Sequence, residues 1–212
     1  MQSNENASLV LDALSTRVLR TLSPGAWRKL FLRPHQEVMQ FAPARGTFLC
    51  AAAQVPSWGA GGDLQSELSF LAATHGGELD PCPQSTALVR FDDPQAALDM
   101  AREMQNMICD LRFQVGLVSG DCTLACLQLE GRVLRVLVGE AVDRAEAVTA
   151  MASPGTIRIA PETFALLQED IVGMSHWMVT TEYEGDCMTA ASLTLPPRGN
   201  AQLSTFAGLG LT

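Results

Sequence analysis

The sequence has 212 residues, 47% of them hydrophobic and 17% charged, enough for one globular domain with a substantial core. Its formal net charge of -9 argues against nucleic acid or anionic lipid as partners, and disfavours a bare triphosphate unless metal or arginine intervenes. No run of about 20 apolar residues appears, so no helical membrane insertion is expected.

Residues Met1 to Asn6 lack the basic end and apolar run of a signal peptide. The six cysteines are scattered without staple-like spacing, which reads as reduced thiols in a cytoplasmic protein.

In chain order, Ala7, Leu11, Leu14, Val18 and Leu22 form one apolar stripe on a helix, with Asp12, Arg17 and Arg20 off it. Such a helix either dimerises or packs back on its own domain, and the sequence leaves both open. Ser23-Pro24 restarts a short helix to about Leu32. Thr47 to Ala53 reads as a buried strand, Asp63 to His75 as a helix closed by Gly76-Gly77, and Thr86 to Phe91 as a strand. Gln95 to Ile108 is a helix and Leu111 to Val118 a half-buried strand, with a turn expected at Ser119-Gly120-Asp121. A hairpin over Cys122 to Leu129 and Val133 to Val138 leads to a helix ending at Met151. Strand Thr156 to Ala160, a helix from Pro161 through Leu167 and a hairpin over Met178 to Tyr183 and Met188 to Leu195 complete the domain. From Pro196 the Gly-, Pro- and Ser-rich tail reads as disordered. The expected division is a helical lead-in over 1–43, a domain over 44–195 and a tail over 196–212, with an α+β architecture and a mixed, mainly antiparallel sheet.

Several segments share an order with a known family. They are Leu22-Ser23-Pro24, His75-Gly76-Gly77-Glu78-Leu79, Val89-Arg90-Phe91 and Asp92-Asp93-Pro94. Leu111-Arg112-Phe113-Gln114-Val115-Gly116, then Gly120-Asp121, Val138-Gly139-Glu140-Ala141-Val142-Asp143 and Ala152-Ser153-Pro154-Gly155-Thr156-Ile157 continue the series. Over about residues 22 to 195 this resembles the class III adenylate/guanylate cyclase catalytic domain, with the lead-in that many bacterial members carry. The resemblance implies a ferredoxin-like core of mainly antiparallel sheet flanked by helices, and a homodimer with active sites at its interface.

It also implies a chemistry whose positions this sequence does not fill. The family drives a ribose hydroxyl onto the α-phosphate using two divalent ions held by two aspartates. The first aspartate position falls on Ala51 or Ala52 and the second on Ser85. The two base readers fall on Pro81 and Leu134, the asparagine on Asp143 and the transition-state arginine on Ala147. Alanine and serine do not supply the carboxylate oxygens that magnesium wants. Losing one electrostatic stabiliser of a transition state costs about 10²–10³ in rate, so losing metals and arginine together removes useful catalysis. Asp80 and Asp121 are the spare carboxylates nearest in sequence, and Arg144 stands about 5 Å along the helix from the arginine position. The gap between the first strand and Gly76-Gly77 is about a dozen residues shorter than the resemblance leads one to expect, which brings into question one family helix, part of the dimer wrap and substrate lid.

The expectation is therefore a pseudo-cyclase: no enzyme, no bound metal or cofactor, acting as a dimeric interaction or regulatory module on an unidentified partner in cytoplasmic signalling. A ligand-sensing module using the remodelled pocket and a cyclase with relocated metal ligands are the alternatives. Cys122 and Cys126 share a strand face and read as buried thiols, Met100, Met104 and Met107 as packing residues, Trp27 as a docking anchor or a core residue, and His75 as a helix-end cation. His35 and His176 stand apart from any catalytic or metal-binding pattern.

Overall fold

The computed structural model describes residues 11–17, 39–53, 61–80, 86–107, 112–129, 132–172, 176–185 and 187–195. An N-terminal helix, α1, covers residues 11–17. It is followed by β1 (Met39–Ala53), α2 (Gly61–Thr74), β2 (Glu78–Asp80), β3 (Thr86–Phe91), α3 (Pro94–Met107) and β4 (Phe113–Leu129). The remaining elements are β5 (Arg132–Val138), α4 (Glu140–Met151), β6 (Thr156–Ile159), α5 (Pro161–Val172), β7 (Met178–Glu184) and β8 (Cys187–Thr194). The short second helix, Trp27, His35 and the tail lie outside the described residues.

The strands form one sheet in the order β2-β3-β1-β4-β6-β8-β7. β6 joins the lower part of β4 in parallel, from Gln114↔Thr156 to Leu117↔Ile159. β5 joins the upper part antiparallel, from Thr123↔Val138 to Leu129↔Arg132. The other pairings are antiparallel, so the expected α+β architecture is borne out.

β1 is apolar over Phe48 to Ala51 because both of its faces are covered there. Leu49 and Ala51 pack with Ala97, Leu98, Ala101 and Met104 of α3 and with Leu167 and Ile171 of α5. Phe48 and Cys50 point the other way, against Val142 and Ala145 of α4. The Thr149 hydroxyl ties α4 to this face by donating to the Cys50 carbonyl at 3.0 Å. Met100 and Met104 are buried, so those methionines are packing residues. At the end of α2, Gly76 takes φ +71 to close the helix, and a Cβ on Gly77 would strike the Phe91 and Val89 side chains at 2.6 Å.

Two expectations about the first and fourth strands are corrected. No turn interrupts Ser119-Gly120-Asp121, because β4 runs unbroken from Phe113 to Leu129. β1 likewise starts at Met39, eight residues before Thr47. The cause is mutual: residues 39–47 and 119–127 satisfy each other's backbone groups in one antiparallel ladder, which overrides the local turn signal. Pro43 is tolerated because the described pairing of β1 with β3 begins only at Thr47.

This ladder bends. In a flat sheet β2 and β5 would stand four strand spacings, about 19 Å, apart. Yet the Asp80 carboxylate of β2 accepts a hydrogen bond from the Leu137 N–H of β5 at 3.2 Å. The upper β1–β4–β5 ribbon therefore curls back over the sheet. The pair Gly46↔Gly120 lies at the fold of the ribbon. A Cβ on Gly46 would sit 2.6 Å from the Phe91 carbonyl oxygen, and one on Gly120 would sit 2.9 Å from the Ala141 Cβ. Gly46→Ala meets a backbone atom that cannot swing aside. It is expected to cost about 1–3 kcal/mol, read as a lower urea midpoint with unchanged slope.

Candidate functional site

The curl creates a cleft walled by the end of β2, the outer edge of β5 and the exposed side of α4. Two faces of the β4–β5 hairpin take part. One packs Cys122 and Leu137 against Ala141, Val142 and Ala145 of α4. The other carries Ala125, Leu127, Val136 and Val138, and Leu14 of α1 covers it with no exposed surface. The N-terminal helix thus packs on its own domain.

Arg17, one turn beyond Leu14, reaches into the cleft. Its Nη1 donates to the Leu137 carbonyl at 2.5 Å, and its Nη2 pairs with Glu146 of α4. Asp80 Oδ2 lies 3.9 Å from Arg17 Nη1. The side chains of Arg17 and Asp80 are 12% and 3% exposed, so this is a buried charge cluster. Loss of water raises Asp80 from 3.8 to about 6, while the Leu137 N–H and the Arg17 charge oppose that rise and Glu146 adds to it. Asp143 is also raised, first by desolvation, with Arg17 lowering it and Glu146 raising it.

The carried-over positions divide between the described and undescribed residues. Pro81 and Ser85 lie outside the described residues. Ala52 pairs with Thr86 and with Gln114, one position from Ser85, on the α4 side of the sheet with Phe48 and Cys50. Ala51 points into the opposite core beside α3. Of the two alanines, Ala52 therefore shares a face with α4. Leu134 is half-buried against the cluster around Leu14. Asp143 and Ala147 are exposed on α4, flanking Glu146, and Asp143 senses the Arg17 charge.

The spare groups are engaged separately. Asp121 is exposed and pairs with Arg45 at 3.8 Å, whereas Asp80 is buried and accepts from the Leu137 N–H. Both lie near the Cys122 thiol, which is raised first by burial, lowered by Arg90 and raised further by Asp121 and Asp80. Arg144 is held by Glu162 of α5 at 3.0 Å. Among the described residues, no three His, Cys, Asp or Glu side chains gather where they could hold a metal ion. His75 is anchored to Glu103 at 2.8 Å; Cys122 is a buried free thiol as expected, whereas Cys126, also free, is only half-buried, on the strand stretch paired with Arg135. No described helix is long and apolar enough to cross a membrane.

The Arg17–Asp80–Glu146 cluster is what sequence reasoning missed. Arg17 stood off the apolar stripe, and Asp80 was marked only as a spare carboxylate. No local signal joins Arg17 to Asp80, which stand 80 − 17 = 63 positions apart in the sequence.

No family model and no curated protein matches the sequence. Solved structures do resemble it. The adenylyl cyclase CyaB from P. aeruginosa superposes with a TM-score of 0.59 at 16% identity, covering 75% of this chain and 98% of that one. The guanylate cyclase domain of RhGC from Catenaria anguillulae, in complex with GTP, gives 0.59 at 15% identity over 74% of this chain and 100% of its own. A non-canonical dimeric guanylyl cyclase domain of the RhoGC fusion protein from Blastocladiella emersonii gives 0.58 at 14% identity, covering 74% and 98%. The chain has the fold of adenylyl and guanylyl cyclase catalytic domains.

Asp80 gives a test of the cleft's electrostatics. Its folded value is raised, so its contribution to stability is fully present below about pH 4 and is lost as pH rises through about 6. Asp80→Asn mimics the protonated form and keeps an acceptor for Leu137. It should be more stable than the unaltered chain at pH 7.5 by up to about 3 kcal/mol. That advantage should disappear as unfolding is repeated down to pH 4.

Proposed function

We propose that this chain is a cyclase-fold domain without cyclase activity. It acts as a homodimeric interaction or regulatory module in cytoplasmic signalling. The observation that carries the reading is the state of the cleft. The carboxylates there, Asp80 and Glu146, are already engaged by the chain's own Arg17. In addition, Ala52 presents a methyl group at the strand end nearest Ser85, where the resemblance calls for a metal-binding carboxylate.

The chemistry follows from charge. Cyclisation needs cations to neutralise the α-phosphate and the departing pyrophosphate. On this reading α4 offers Glu140 and Asp143 to an incoming triphosphate, and Ala147 supplies no guanidinium. Arg144, the nearest cation on α4, is taken by Glu162. A triphosphate would meet like charge without compensation. The dimeric state is carried from the fold, one of whose solved examples is a dimeric guanylyl cyclase domain. An interaction role fits the edge strand β7, where Met178, Val179 and Tyr183 are exposed.

Purified protein incubated with ATP or GTP and manganese is expected to form no cyclic nucleotide above a no-enzyme control. Sedimentation equilibrium should give twice the mass of the chain. Turnover would overturn the inactivity, and a monomer would overturn the dimer. The position assignment has its own test: Ala52→Asp combined with Ser85→Asp should introduce manganese binding, measured by calorimetry, that the unaltered chain lacks.

A further inference from the structure

Three features of α1 stand together. First, it packs on the β4–β5 hairpin, on the face opposite the one that meets α4. Second, it is held at two points only one turn apart, an apolar one and a charged one. Leu14 seats on Ala125, Leu127, Val136 and Val138, and Arg17 reaches past them to the cleft. Third, its charged anchor completes a strand edge. The Leu137 N–H goes to Asp80 and the Leu137 carbonyl to Arg17, so the two charged groups cap both backbone groups of one residue on the outer edge of β5. An uncapped edge of this kind is a template for pairing with another chain.

We propose that α1 is an intramolecular latch. Arg17, pinned between Asp80, the Leu137 carbonyl and Glu146, holds the helix closed over the β4–β5 hairpin. Lifting it uncovers both the apolar strip and the β5 edge without unfolding the domain.

The asymmetry of the contacts supports a detachable element over an integral one. The main core, from Leu49 through Met104 to Ile171, contains no residue of α1. Among the described residues, the cluster under Leu14 is a separate patch made by α1, β1, β4 and β5. Release leaves the sheet and the main core as they are. The Arg17 guanidinium bridges three elements at once. With Arg17 gone, Asp80 remains buried with Glu146 nearby, so the cleft turns from neutralised to acidic. Closed and open forms thus present chemically different surfaces to a partner. The inference concerns access to the cleft and holds whether or not the cleft retains chemistry.

Hydrogen exchange on the full-length chain tests this, read on peptides covering α1 and, separately, β3 and α3. Arg17→Ala should speed exchange over α1 by at least about tenfold and leave β3 and α3 unchanged, because charge-assisted hydrogen bonds are lost at one local site. Leu14→Ala should do the same. Arg17→Glu should release the helix further, since it sets another carboxylate beside Asp80 and Glu146 and offers the Leu137 carbonyl no donor. In trans, a synthetic peptide with the sequence of residues 7–20 should bind the Leu14→Ala/Arg17→Ala chain, and the same peptide lacking its arginine should not. Unchanged exchange in Arg17→Ala would overturn the latch. So would a rise shared equally by α1, β3 and α3, since α1 would then be part of the cooperative fold. Failure of the peptide to bind would also remove it.

Discussion

β1 and β4 pair antiparallel from Met39↔Leu127 to Ala53↔Phe113, and the bend of that ladder decides where the remaining groups can lie. A sheet of this width would ordinarily hold β2 and β5 far apart. The ribbon instead folds at Gly46↔Gly120, where neither residue carries a Cβ to strike Phe91 or Ala141. The close approach of α4 to β4 is met in the same way lower down, where a Cβ on Gly116 would come within 2.7 Å of the Thr149 backbone nitrogen. Tight packing of α4 and curling of the ribbon are one constraint. Each requires small residues on the face of β4 that looks at α4.

The cleft inherits its character from the curl. Bringing the Leu137 edge against Asp80 removes a carboxylate from water, which costs several kcal/mol for an uncompensated ion. The compensation comes from three sources: the Leu137 N–H, the partial protonation implied by a value near 6, and the Arg17 guanidinium. Arg17 in turn needs acceptors, and the Leu137 carbonyl and Glu146 supply them. A planar guanidinium can serve a carbonyl and two carboxylates from different directions, which a lysine ammonium on a flexible stem does less well. The N-terminal helix, the hairpin and α4 are joined through one side chain for that reason.

Much of the fold was legible in the sequence because its signals are local. Gly76-Gly77 announced the end of α2, the alternation of Phe113, Val115 and Leu117 gave the lower half of β4, and Met100 and Met104 were legible as packing residues of α3. The misreadings have a shared physical origin. Gly46, Pro43 and the Ser119-Gly120-Asp121 triplet are turn-like residues whose extended conformation is imposed by a partner about 75 residues away, and no window along the chain contains that partner. The site was less legible for the same reason. The sequence could place Leu134, Asp143 and Ala147 on a strand and a helix, but not an arginine from residues 11–17 beside them, since Arg17 and Glu146 meet across 129 positions.

The retained and altered positions point to what the fold itself needs. The glycines that permit close approach, the helix-ending pair and the double-sided apolar strand are all present, and together they suffice for a sheet that superposes on cyclase domains at about one residue in six identical. Packing constrains these positions whether or not the cleft does chemistry. A metal-binding carboxylate is different: it contributes nothing to the core, and an unpaired acid at a strand end costs stability through desolvation and like-charge repulsion. Alanine at position 52 carries no such cost beside the Thr86 strand. A fold whose sheet depends on glycines and apolar alternation keeps its shape whichever residues stand at its strand ends, so shape and chemistry are set by different positions.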